Sequence, residues 1–146
     1  DRHTLQIAAE QKGQTLTADI APGITLDGDS GKLMQIFYNL TDNAIKYTPE
    51  NGHIAVRLAQ SGANVLFAVT DDGIGIPEED QKHIFERFYR VDKARSRATG
   101  GTGLGLSIVR QLAAMHGGTV SVSSQPGQGA TFTVTLPMDA KRGEKA

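Results

Sequence analysis

The sequence predicts a two-layer α/β sandwich, a mixed sheet with helices on one face. Three observations predict it. Ser30–Tyr47 carries a long amphipathic helical pattern, a second helical repeat runs into Gly117–Gly118, and short apolar runs bounded by turn residues lie between and after them.

Each element has its own signal. Thr4–Lys12 can form a short helix closed by Gly13. Gln14–Ile20 and Thr25–Leu26 read as extended, around the turn Pro22–Gly23. Asp29 then caps the long helix, which Pro49 stops near Tyr47. Ile54–Leu58 and Val65–Thr70 read as a hairpin across Ser61–Gly62. Pro77, followed by Glu78, Glu79 and Asp80, has the composition of a helical first turn. Residues 87–103 lack periodicity and form a long loop, a length usual for lids. Leu104, Ile108, Val109, Leu112 and Met115 recur at helical spacing, and Thr119–Ser123 with Ala130–Leu136 make a closing strand pair.

A chain of 146 residues holds one ordinary domain, expected over residues 1–139, with a short charged tail at 140–146 expected to be disordered. With no cysteine, disulfides, thiolate metal sites and cysteine nucleophiles are all excluded. A formal net charge of -1 argues against general nucleic-acid binding, which needs a basic surface. No apolar run approaches membrane-spanning length and the start lacks a signal-peptide pattern, so direct membrane contact is not expected.

Three places carry chemistry. On the long helix, Leu33, Ile36, Phe37, Leu40 and Ala44 share an apolar arc extended by Met34 and Ile45, while Asn39, Asn43 and Lys46 fall on one narrow stripe flanked by Gln35 and Asp42. Such a stripe is either a solvated face or a holder of hydrated Mg²⁺ and the phosphates it bridges; asparagine is a poor choice for an idle helical face. Next, Asp71-Asp-Gly73-Ile-Gly75-Ile76-Pro77 follows an apolar strand. It is either a plain Asp-Gly turn or a carboxylate reading the amino group of adenine over a backbone that a flat base can approach. Asp72 is the neighbour expected to be merely solvated. Finally, Gly100-Gly-Thr-Gly103-Leu-Gly105-Leu opens a helix, either as a hinge or as an anion site of free N–H groups. It fits neither a Walker loop nor a dinucleotide fingerprint. Arg87, Arg90, Lys93, Arg95 and Arg97 would put mobile positive charge beside it. Phe85 and Phe88 suit either the base of a lid or plain core.

In order and spacing, Asn39-Leu-Thr-Asp-Asn43-Ala-Ile-Lys46-Tyr47, Asp71-x-Gly73-x-Gly75, Phe85-Glu-Arg-Phe88-Tyr-Arg90 and Gly101-Thr-Gly103-Leu-Gly105-Leu closely resemble the N, first glycine, F and second glycine boxes of sensor histidine kinases. Gly127-Gln-Gly-Ala-Thr131-Phe132, ending in Leu136-Pro137, resembles their closing strand. Phe85 to Ile108 looks like the membrane-anchored class whose phosphoacceptor domain is a helical hairpin. The resemblance implies the ATP-binding fold shared with gyrase, Hsp90 and MutL: a mostly antiparallel sheet of about five strands under about three helices, with a long ATP lid. It implies that Asn43 ligates Mg²⁺ with Asn39 close by, and that Lys46 and Arg90 contact phosphates. Tyr47 would line the site and Asp71 would hold the adenine amino group. Gly101, Gly103 and Gly105 would form a mobile phosphate rim, and Thr131 would stand near the adenine. Gly73, Gly75, Ile76, Thr102, Leu104 and Leu106 would complete the ATP contacts.

One departure separates the chain from the clamp ATPases of that fold, which carry a glutamate where Asn39 stands. An amide cannot act as a general base, so slow ATP hydrolysis and transfer to a protein acceptor are expected. None of His3, His53, His83 and His116 lies in the family's phosphoacceptor motif. His116 suits a helix end on dipole grounds, and the other three read as surface residues. The acceptor histidine is expected on a helical hairpin before Asp1, in a parent anchored in the cell membrane with this domain in the cytoplasm and a response regulator downstream. A nucleotide-binding interaction module without catalysis, and a stand-alone ATPase, are the competing classes.

Overall fold

A computed structural model describes residues 2–24, 28–87, 89, 105–125 and 127–138 of the chain. The elements run α1 (Arg2–Gln11), β1 (Thr15–Ile20), α2 (Ser30–Tyr47), β2 (His53–Ser61), β3 (Asn64–Asp71), α3 (Glu78–Gln81), α4 (Gly105–Met115), β4 (Thr119–Ser124) and β5 (Ala130–Pro137). The five strands form one sheet in the order β1-β2-β3-β5-β4. Only β1 and β2 pair in parallel; the other neighbours are antiparallel. A parallel pair needs a crossover, and α2 supplies it.

The strand registers explain the layering. Val56 pairs with Val69, which pairs with Phe132, which pairs with Val122; Leu58–Phe67–Val134–Val120 repeat the row two residues on. Side chains alternate across a strand, so these apolar rows share one face. The opposite face carries Ala55, Thr70, Thr131 and Ser123 in one row and Arg57, Ala68, Thr133 and Ser121 in the next. Helices α1, α2 and α4 cover the apolar face. Leu5 and Ala9, Ile36 and Leu40, and Val109 and Ala113 join Ile54, Val69, Phe132 and Leu136 in one buried cluster. Leu40 is fully buried, so Leu40→Ala would cost about 2–5 kcal/mol.

Helix α2 starts where predicted: the Asp29 carboxylate accepts the Lys32 N–H at 3.0 Å. It ends at Thr48, whose backbone is extended ahead of Pro49 while its N–H still reaches Ala44 O at 3.0 Å. Two assignments to apolar arcs are corrected. Met34 is 52% exposed and Met115 54% exposed, whereas Thr41, Ser107 and Ala113 are buried. Burial follows the contact between α2 and α4 rather than side-chain polarity alone. Thr25–Leu26, the loop from residue 90 to 104 and the tail at 140–146 lie outside the described residues. Among the described residues, no helix is long and apolar enough to cross a membrane.

Candidate functional site

Two edges of the fold meet at the end of α2. On the helix, Asn39, Asn43, Lys46 and Tyr47 are half-buried, beside the buried Leu40, Thr41, Ala44 and Ile45. The Lys46 ammonium pairs with Asp42, one turn earlier, at 3.0 Å. At the end of β3, Gly73 abuts the last residues of that helix. A Cβ built there would stand 3.0 Å from Tyr47 O, 3.4 Å from Thr48 Cα and 2.9 Å from Asp71 Oδ1. The turn after Asp71 thus lies against the end of α2, and only glycine leaves room for that approach.

Asp71 faces the helical layer, because Val69, Phe67 and Val65 before it on alternate positions are all buried. Its Oδ1 accepts the Gly73 N–H at 2.9 Å, and the Ala130 N–H also donates to its carboxylate. Burial pushes the carboxyl above the usual carboxylate range; the Gly73 and Ala130 N–H groups hold it part-way back, and the Asp72 charge pushes it up further. A carboxylate offers about four acceptor positions, so two backbone bonds leave capacity for a ligand donor. Asp72 is exposed, as expected, but it is not idle. It accepts the His53 N–H at 2.8 Å and lies 2.9 Å from His53 Nδ1. The His53 N–H is the main cause that holds its carboxyl below the usual range.

The β4–β5 hairpin pins the glycine turn in place. The Ile76 N–H donates to Ser124 Oγ at 2.8 Å, and that hydroxyl donates to Gly129 O at 2.7 Å. The Gly127 N–H reaches Ile74 O at 2.7 Å. Gln81 Nε2 ties Ile76 O and Ser124 O together at 2.8 and 3.0 Å. Gly129 has φ +80, and a Cβ on it would lie 2.0 Å from Asp71 O. Ser124 and Gln81 escaped the sequence reading because neither sits in a patterned motif and the bonds that tie turn to hairpin, Ile76 N–H to Ser124 Oγ and Gln81 Nε2 to Ser124 O, span 48 and 43 residues. Gly129 was visible as part of Gly127-Gln-Gly.

Tyr47 and Gly73 meet directly; Asn39, Asn43 and Lys46 lie earlier on the same helix, and Asp71, Gly75 and Ile76 flank Gly73 in the chain. Gly105 and the half-buried Leu106 open α4. Thr131 does not join Asp71: it pairs with Thr70, their hydroxyls 3.1 Å apart, and with Thr133 and Ala68 it lines a shallow concavity on the other face of the sheet. Ala130 is the residue of β5 that pairs with Asp71. Phe85 is core, edge-on to Phe132 at 6.1 Å between ring centroids. The assignments to Phe88, Arg90, Gly101, Thr102, Gly103 and Leu104 lie outside the described residues. His116 is buried rather than simply set at a helix end. Its Nδ1 lies 2.9 Å from Leu112 O, and its Nε2 accepts the Asp29 N–H at 3.2 Å, joining the end of α4 to the start of α2. Among the described residues no group of three His, Cys, Asp or Glu side chains could cage a metal. The donors in place, amide oxygens on a half-buried helix, suit an ion that keeps its water and takes its other ligands from phosphate.

Residues 28–140 match the family described as histidine kinase-, DNA gyrase B-, and HSP90-like ATPase. The sensor-like histidine kinase SenX3 of Mycolicibacterium smegmatis is 48% identical over 132 residues, covering 90% of this chain and 34% of the relative. The chain spans about a third of the length of such curated relatives. Among solved structures, the catalytic domain of histidine kinase ThkA in a nucleotide-free form superposes with a TM-score of 0.84 at 26% identity, over 96% of this chain and 89% of that one. Full-length ShkA in complex with AMPPNP superposes with a TM-score of 0.77 at 36% identity, over 93% of this chain and 28% of that one. The chain belongs to the histidine kinase-, DNA gyrase B- and HSP90-like ATPase family, as a catalytic ATP-binding domain of the sensor histidine kinase type.

Proposed function

We propose that the chain binds Mg-ATP between the α2 stripe and the Asp71–Ile76 turn, and passes the γ-phosphate to a histidine on a separate helical-hairpin domain. One observation carries the reading: a half-buried carboxylate, Asp71, stands over a glycine turn packed on the end of a helix that bears two amides and a lysine. The AMPPNP held by the ShkA relative, an imido analogue of ATP, supports the choice of nucleotide.

In this reading Asp71 accepts the adenine amino group and disfavours guanine, which presents a carbonyl oxygen there. Gly73, Gly75 and Ile76 let the base approach, and Tyr47 lines the site. Asn43, with Asn39 beside it, would hold Mg²⁺, which would supply positive charge against the phosphates. Lys46 exchanges Asp42 for phosphate oxygens, and Arg90, Gly101, Thr102, Gly103, Leu104, Gly105 and Leu106 are assigned to the nucleotide by the resemblance alone. Thr131, on the far face of the sheet, takes no part, and Ala130 occupies its presumed place beside Asp71. Asn39 cannot take a proton from water, so the phosphoryl group is kept for a protein acceptor. The domain then works on the cytoplasmic side of a membrane-anchored parent, with a response regulator as the next acceptor.

Calorimetric titration with Mg-ATP and Mg-GTP, on the wild type and on Asp71→Asn, tests the site. ATP binding, weak GTP binding and loss in the variant are expected; a folded wild type that binds neither nucleotide refutes the reading. Acid-labile labelling of a cognate hairpin domain tests the transfer step.

A further inference from the structure

A set of polar contacts from outside the family-matched segment grips the end of α2. Lys12 Nζ lies 2.8 Å from Ile45 O, 2.9 Å from Thr48 O and 3.4 Å from Lys46 O. Gln14 Nε2 donates to the same Ile45 O at 3.0 Å and to Thr48 O at 2.7 Å. The last carbonyls of a helix lack intrahelical partners, and a cation is favoured at that end of its dipole. Gln14 is 5% exposed and Thr48 fully buried, so water competes poorly for these bonds. The same segment also holds the loop after the helix: the Asn51 N–H reaches Lys12 O at 3.1 Å, and the Thr15 N–H reaches Gly52 O at 3.0 Å.

We propose that Lys12 and Gln14 are positioning residues that set the phosphate end of the nucleotide site against its adenine end. The inference rests on the reading of the site given above. The gripped carbonyls belong to Ile45, Lys46 and Thr48, and they bracket Tyr47, whose own carbonyl abuts Gly73. Fraying of this last turn would move Lys46 and Tyr47 directly. Asp71 would stay, because strand pairing with Ala130 and Ile54 holds it. The two ends of the site are therefore unequally tied to this turn: Lys46 moves with it, whereas Asp71 is held by the strands.

The test compares Mg-ATP and adenosine affinities by NMR titration of the wild-type chain, Lys12→Met, Lys12→Arg and Gln14→Glu, with amide exchange at Thr48 read without nucleotide. Lys12→Met is expected to weaken Mg-ATP about tenfold and adenosine less than about twofold. It should also speed exchange of the Thr48 amide, and Lys12→Arg should restore both. Gln14→Glu keeps the shape, removes the donor and should act in the same direction, which covers the case of a Lys12→Met chain that fails to fold. Equal losses for ATP and adenosine, accompanied by a lower Tm, would reduce the contacts to a plain helix cap and overturn the proposal. Unchanged Thr48 exchange in both variants would overturn it independently of any nucleotide. A wild type that exchanges slowly at Thr48 yet binds no Mg-ATP would instead sink the reading of the site, and this assignment with it.

Discussion

Lys46 and Asp42 form an ion pair at 3.0 Å across one turn of α2, so the lysine proposed to meet phosphate already has a carboxylate partner in the free chain. Phosphate must displace Asp42 to recruit it. A single helical ion pair of this spacing contributes only about 0.2–0.5 kcal/mol, so the displacement costs little. Asp42→Asn should raise Mg-ATP affinity by about twofold, whereas Lys46→Met should lower it by about tenfold. Isothermal titration at two salt concentrations checks both, and the salt dependence should flatten in Lys46→Met.

Asp71 is expected to trade stability for binding. Its folded-state pKa is raised, first by burial, so the ionised carboxylate opposes folding at neutral pH. That penalty is present above the raised pKa and fades as pH falls through it towards the ordinary carboxylate value. Asp71→Asn keeps an oxygen for the Gly73 N–H and removes the charge. The variant should melt higher than wild type at pH 7, with the gap closing in acid, while losing about tenfold or more in ATP affinity. Thermal scans from pH 3 to 7 beside a nucleotide titration check it; a variant that melts lower at pH 7 would contradict the burial account.

Gly129→Ala brings a Cβ to within 2.0 Å of Asp71 O at a backbone φ of +80. Both the clash and the left-handed backbone oppose it, so the loss should exceed about 2 kcal/mol, or roughly 4–8 °C in Tm. Nucleotide binding should fall further than melting alone explains, because relief of the clash displaces the carrier of the Asp71 carboxylate.

Thr131→Val should leave ATP affinity within about twofold, since Thr131 faces Thr70 on the side of the sheet away from Asp71. Ala130→Leu, directly opposite Asp71, should abolish binding. A large effect of Thr131→Val would mean that the nucleotide reaches the outer face of the sheet.

Much was legible in the chain alone, because it is written locally. The cap at Asp29, the stop before Pro49, the amide stripe one turn apart and the Asp-Gly turn at a strand end all depend on residues within a few positions of one another. The layer architecture followed from the same patterns. That Asn43, Lys46 and Asp71 form one site was implied by the resemblance of the motifs, in order and spacing, to those of sensor histidine kinases.

The rest required the tertiary structure, for a physical reason: a sheet face is a matter of register. A shift of one residue turns a side chain to the opposite layer, and this separates Ala130, beside Asp71, from Thr131, which the resemblance to sensor histidine kinases implied for the nucleotide site. The same holds for the contacts of Ser124, Gln81, His116, Lys12 and Gln14, whose partners lie far off in sequence. Local pattern marked the candidate residues; long-range pairing decided which of them share a face and what holds them there.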